Sequence, residues 1–229
     1  MPDPPDRSRA IRSYVRRAGR ITLAQERALR ELWPRYGLEF QPERLDLDRL
    51  FGRAAQRTLE IGFGNGEQLL ERALKAPERD FLGVEVHRPG IGHLLLGAAS
   101  AGAGNLRVIA HDAVEVMQQQ IAPASLDELQ LLFPDPWPKE RHHKRRIVQA
   151  AFATLVASRL KPSGLWHLAT DWEPYAQHML EVLRACEALR NCAPGGGFID
   201  AVQARSATRF ERRGAQLGHR VRELLFARL

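Results

Sequence analysis

Apolar residues recur along this chain in two alternating rhythms. Short continuous runs at residues 58–61, 81–86, 106–110, 126–133, 165–169 and 221–226 have the character of strands buried on both faces. Between them, residues 67–75, 91–100, 114–121, 145–160 and 174–186 carry apolar side chains at helical spacing. In the first of these, Leu69, Leu70, Ala73 and Leu74 share one face. Strands alternating with helices of this length pair in parallel, which predicts a doubly wound, mostly parallel α/β sheet with helices on both faces. Such sheets bind ligands beyond the carboxyl ends of their strands, so the residues after each strand are where chemistry is expected.

Ahead of this pattern the rhythm fades. Residues 21–50 predict a helical or irregular lead-in, with Leu29, Leu32 and Trp33 able to pack on the main domain. Residues 1–20 are rich in proline and arginine (Arg7, Arg9, Arg12, Arg16, Arg17, Arg20) and too poor in apolar residues to fold alone. They are expected to form a flexible basic arm, leaving residues 51–229 as the main α/β domain. No internal repeat is present.

The first strand runs into Gly62-Phe-Gly-Asn-Gly66, a turn in which glycine lets a ligand approach the backbone. It lacks the third glycine of the dinucleotide fingerprint, because Glu67 stands there, and that carboxylate would repel a pyrophosphate at the helix N-terminus. Acidic residues close or follow four successive strands: Glu60, Glu85, Asp112 and Asp135. Such a set suits a ligand with ribose hydroxyls, an amino group and a sulfonium, which points to S-adenosylmethionine. Each carboxylate could also be a strand end or helix cap. No local metal-ligand motif accompanies them, so no metal is expected.

Composition then adds a partner. Lysine and arginine number 34 against 27 acidic residues, a net charge of +7, which favours a polyanion. The basic residues concentrate after the fourth strand, where Phe133-Pro-Asp-Pro-Trp-Pro-Lys139 is followed by Glu-Arg-His-His-Lys-Arg-Arg146. Three prolines preset the loop around Asp135. Trp137 could stack on a base or plug the core. Arg141, His142, Lys144, Arg145 and Arg146, read as opening the next helix, are placed to neutralise RNA phosphates. Asp171 and Trp172 follow the fifth strand. Thr208, Arg209, Phe210 and Glu211 group a hydroxyl, two charges and an aromatic ring, with the spacing of a capping box as the structural alternative. Cys186 and Cys192 show neither redox nor metal spacing, and neither a secretion signal nor a membrane span is apparent, so a cytoplasmic location is expected.

These stretches closely resemble the bacterial tRNA (guanine-N7-)-methyltransferases of the class I S-adenosylmethionine-dependent group. The likeness rests on residues 59–66, 81–87, 105–108 with 111–116, 133–139, 145–149, 169–175 and 208–214. The resemblance implies a seven-stranded Rossmann-like sheet. It implies that Glu60, Gly62, Gly64, Gly66, Glu85 and Asp112 bind S-adenosylmethionine and that Asp135 belongs to both cofactor site and reaction centre. Lys139, Asp171 and the stretch Thr208, Arg209, Phe210, Glu211 would then hold the guanine of tRNA. The partner would be tRNA, with no DNA and no membrane, and the enzyme a monomer or homodimer.

Overall fold

Each apolar run becomes a strand because continuous burial needs a sheet covered on both sides. The computed structural model describes residues 12–14, 19–200 and 220–229. In chain order it contains α1 (Leu23–Glu31), α2 (Trp33–Tyr36), β1 (Gly37–Leu38), α3 (Leu47–Phe51), β2 (Arg57–Ile61), α4 (Glu67–Lys75), β3 (Asp80–Val84) and α5 (Arg88–Ala101). There follow β4 (Leu106–Ile109), α6 (Ala113–Gln119), β5 (Leu126–Leu132), a 3₁₀ turn (Glu140–Arg145), α7 (Ala150–Arg159), β6 (Leu160–Thr170), α8 (Glu173–Arg184), β7 (Leu189–Asn191) and β8 (Arg222–Arg228).

The strands form one sheet in the order β1-β4-β3-β2-β5-β6-β8-β7. Pairings from β1 through β6 are parallel, and β8 runs antiparallel to both β6 and β7. The chain leaves β2 toward β3 and β4 on one side, and continues through β5 and β6 on the other. Strand order therefore reverses between β2 and β5, where the carboxyl ends splay into a crevice. One face packs Leu59, Ile61, Leu129, Leu131, Trp166 and Leu168 in a core shared with Phe152 and Val156 of α7 and Met179 and Leu183 of α8. The other joins Phe81, Leu106 and Val108 to Ala28 of α1, Leu69 of α4, and Leu94 and Leu95 of α5. Burying each large aliphatic side chain contributes about 1.5–3 kcal/mol, enough to fix the strand ends that build the crevice.

The lead-in is more regular than its sequence suggested. Thr22 opens α1 with a capping box: Gln25 N donates to Thr22 Oγ1 at 3.2 Å and Thr22 N to Gln25 Oε1 at 2.9 Å. The Tyr36 hydroxyl donates to the Ala98 carbonyl at 3.1 Å, tying α2 to α5. Gly37–Leu38 supplies an eighth strand beside β4 where seven were expected. A second departure lies at residues 139–146, which do not open a long helix. They form a separate 3₁₀ turn, and residues 147–149 run into α7, whose N-cap Gln149 is extended at φ −128°, ψ 164°. Like charges at helical spacing repel, so a block this basic gains little from an α-helix. No helix among the described residues is long and apolar enough to cross a membrane.

Candidate active site

A cavity of about 340 Å³ opens at the strand-order reversal, walled by the ends of β2, β3 and β5. Its floor is the glycine turn. Gly62, Gly64 and Gly66 have φ of 72°, 59° and 74°, a left-handed backbone that side chains resist. A Cβ at Gly62 or Gly64 would meet nothing within 4 Å, so both present bare backbone to the cavity. Gly66 differs: it is the N-cap of α4, and a Cβ there would strike Leu94. Its role in the structure is helix packing. Gly90 of α5 lies against the same turn, where an added Cβ would fall 2.0 Å from the Gly64 carbonyl oxygen.

The carboxylates sort themselves by depth. Glu85 lines the cavity and braces the turn: its Oε2 accepts from Gly64 N at 2.9 Å, and Oε1 from Val86 N and His87 N at 2.6 and 2.9 Å. Glu60 is 4% exposed, and its Oε2 accepts no hydrogen bond. Burial, reinforced by Glu128 and Glu85 against the opposing pull of Arg72, pushes its pKa up to about 7. A buried, unsatisfied carboxyl is costly until a cation or donor reaches it. Glu60 does not itself line the cavity but lies next to Ile61 and Gly62, which do; an ammonium-bearing ligand against this turn would lessen its cost, so the residues present fit S-adenosylmethionine. Asp112 caps α6, accepting from Val114 N at 2.8 Å, and its neighbours His111 and Ala113, rather than Asp112 itself, line the cavity.

Asp135 follows β5, is exposed and lines the cavity. The turn carrying it is strained on both sides: Phe133 has φ 51° and Trp137 φ 46°, conformations that cost side-chain-bearing residues about 1–3 kcal/mol each. Phe133 N donates to the Ala169 carbonyl at 2.8 Å, fixing the turn to β6. Trp137 does not plug the core. Its Nε1 donates to the Ser13 carbonyl at 3.2 Å, and the Arg145 guanidinium lies 4.9 Å from the ring.

Beyond the turn, Lys139, Arg141, Lys144 and Arg145 are exposed and continue the basic surface. His142 is half-buried, and partial burial followed by the charges of Arg141, Arg145, Lys139 and Lys144 lowers its pKa. Arg146 departs from the expected phosphate-facing group because it is buried and bonded inward to the Pro136 carbonyl. Asp171 follows β6, on the same edge of the sheet as Asp135, but does not line the cavity. Trp172 is the N-cap residue of α8 and packs, partly buried, against the core. Thr208, Arg209, Phe210 and Glu211 lie outside the described residues.

Ser13 and Tyr14, which sequence reasoning passed over, line the cavity mouth. The available signal was the small apolar group Ile11, Tyr14 and Val15 inside an arginine-rich stretch.

Solved structures share this architecture. The 16S rRNA methyltransferase KamB matches with a TM-score of 0.58 and 14% identity, over 81% of this chain and 94% of that one. A variant of the 16S rRNA (adenine(1408)-N(1))-methyltransferase from Catenulisporales acidiphilia, solved with its cosubstrate SAM, matches at 0.54 and 17% identity, over 84% and 93%. A switch-point cavity floored by glycine backbone and flanked by carboxylates, in this fold, defines a class I S-adenosylmethionine-dependent methyltransferase. A family model described as "Putative methyltransferase" matches residues 54–224. The tRNA (guanine-N(7)-)-methyltransferases of Pseudomonas paraeruginosa and Edwardsiella ictaluri are each 55% identical over 221 residues, covering 96% of this chain and 91% and 93% of theirs. The chain belongs to the tRNA (guanine-N(7)-)-methyltransferase family, and its methyl donor is S-adenosylmethionine.

Proposed function

We propose that the protein methylates N7 of a guanosine in the tRNA variable loop, giving N7-methylguanosine. The observation that carries this reading is that Asp135 lines the same cavity as the glycine turn and is followed in sequence by a run of exposed cations. S-adenosylmethionine supplies an electrophilic methyl group on a sulfonium. Glu60, Glu85 and the backbone at Gly62 and Gly64 hold the donor by its polar groups, with Asp112 fixing the neighbouring helix start. Guanine N7 bears a lone pair and no proton at neutral pH, so the site needs alignment more than a general base. Asp135 acts electrostatically: as the methyl group passes from sulfur, which is left as a neutral thioether, to N7, positive charge moves onto the purine, and a nearby carboxylate stabilises that change.

As the family resemblance implies, Lys139, Asp171 and the stretch Thr208 to Glu211 hold the guanine of tRNA. Arg141, His142, Lys144 and Arg145 hold RNA phosphates, offsetting the few kcal/mol needed to unstack the nucleotide. On this reading the enzyme works in the cytoplasm as a monomer or homodimer, with neither DNA nor membrane as partner. Incubation with methyl-labelled S-adenosylmethionine and bulk tRNA, followed by nucleoside digestion and mapping, tests it. Label in N7-methylguanosine of the variable loop supports the assignment. Label in another nucleoside, or none, refutes it.

A further inference from the structure

Three of the five residues from Pro134 to Pro138 are prolines, so this stretch has few N–H groups of its own. A turn so built cannot satisfy or fix its carbonyls through its own backbone, and the donors must come from elsewhere. Arg146 is such a donor. Alone among residues 139–146 it is buried, at 4% exposure. Its Nε donates at 3.0 Å to the carbonyl of Pro136, the residue immediately after Asp135. Its Nη2 reaches His143 Nε2 at 3.0 Å, and since a guanidinium only donates, that ring nitrogen accepts. The guanidinium carbon lies 4.9 Å from the Tyr175 ring centroid. Tyr175 is itself pinned, its hydroxyl accepting from Val148 N at 3.3 Å.

We propose that Arg146 is a positioning residue for methyl transfer, its planar fork bridging Pro136 and His143 so that the strained turn keeps Asp135 aimed into the cavity. This rests on the reading of Asp135 given above. Arginine is required because two acceptors at fixed directions suit a rigid fork and not a single ammonium. Its buried side chain takes no part in the phosphate-binding surface. Misplacing a reactive group by about 1 Å can cost on the order of 100-fold in rate, so the effect belongs to the chemical step.

The test compares full-length Arg146→Lys and Arg146→Gln with the parent in single-turnover methylation of tRNA at saturating S-adenosylmethionine and tRNA. Binding of each is measured separately. The expected result is a rate lower by about 30-fold for lysine and about 100-fold for glutamine, with both affinities within about threefold. A full rate in Arg146→Lys, or an intact rate with weakened tRNA binding, overturns the proposal, the latter in favour of a phosphate contact. Should both variants fail to fold, His143→Ala removes the second acceptor while keeping the 3₁₀ backbone. It is expected to slow transfer about fivefold and to shift or broaden the ¹⁹F resonance of fluorotryptophan at Trp137. An unchanged rate and resonance would count against the bridge. Asp135→Asn, measured alongside, separates the two readings. If it reacts at full rate, the assignment of Asp135 fails whatever Arg146 does. If it is slow while Arg146→Lys is fast, only the positioning role fails.

Discussion

The two walls of the cavity solve the same problem by opposite means. On the donor side, positive φ falls on Gly62, Gly64 and Gly66, where it carries little strain, and Glu85 ties the turn to the end of β3, accepting from Gly64 N with one oxygen and from Val86 N and His87 N with the other. On the base side, positive φ falls on Phe133 and Trp137, and the turn is held from outside by Ala169, Arg146 and Ser13. The first wall supports itself; the second is propped. The donor wall should therefore fail through local changes in ligand affinity, and the base wall through loss of rate.

The largest effect should come from the propped wall. Asp135→Ala is expected to lower single-turnover methylation by about 10²–10³-fold while calorimetric affinity for S-adenosylmethionine stays within a few-fold. A matching collapse of donor binding would break the contrast. Next, Gly64→Ala forces a side chain into φ 59° at a cost of about 1–2 kcal/mol, so donor affinity should fall roughly tenfold with tRNA affinity unchanged.

Glu60 sharpens the comparison through pH. Its raised pKa of about 7 keeps it protonated at lower pH, whereas an ammonium-bearing donor needs the carboxylate. Donor affinity should rise as pH increases through about 7 and then level off, and Glu60→Gln should weaken binding and remove the slope. Folding has the opposite sign. A carboxyl whose folded pKa is raised costs stability progressively between its unfolded value and about 7, and fully above that. Ligand-free Glu60→Gln should thus be more stable at pH 8, by on the order of 2 kcal/mol, in thermal unfolding. The smallest effect belongs to the exposed cations: Arg141→Gln or Lys144→Gln should reduce tRNA affinity a few-fold and the log–log salt slope by about 1.

The donor wall was the more legible because its logic is local. Continuous apolar runs marked the central strands, and the glycine spacing with Glu60 and Glu85 marked the turn. Gly37–Leu38 and Leu189–Asn191 are too short for any periodicity to show. The basic block misled because charge alone does not reveal which arginine turns inward; Arg146 is identified only by the folded turn that brings Pro136, His143 and Tyr175 around it. Asp112 served as a cap, an ambiguity present in the sequence from the start. Ser13 and Tyr14 escaped notice because their position depends on Trp137, more than a hundred residues away.

Gly90 extends this lesson to protein engineering. Its hydrogen in place of a methyl group is what lets α5 dock against the Gly64 carbonyl. Two successive crossovers are therefore riveted at one point, and a Gly90→Ala change should displace the donor's floor although residue 90 never meets the donor. Transplanting the glycine turn into another parallel sheet would require carrying this second glycine, nearly thirty positions downstream, as part of the graft.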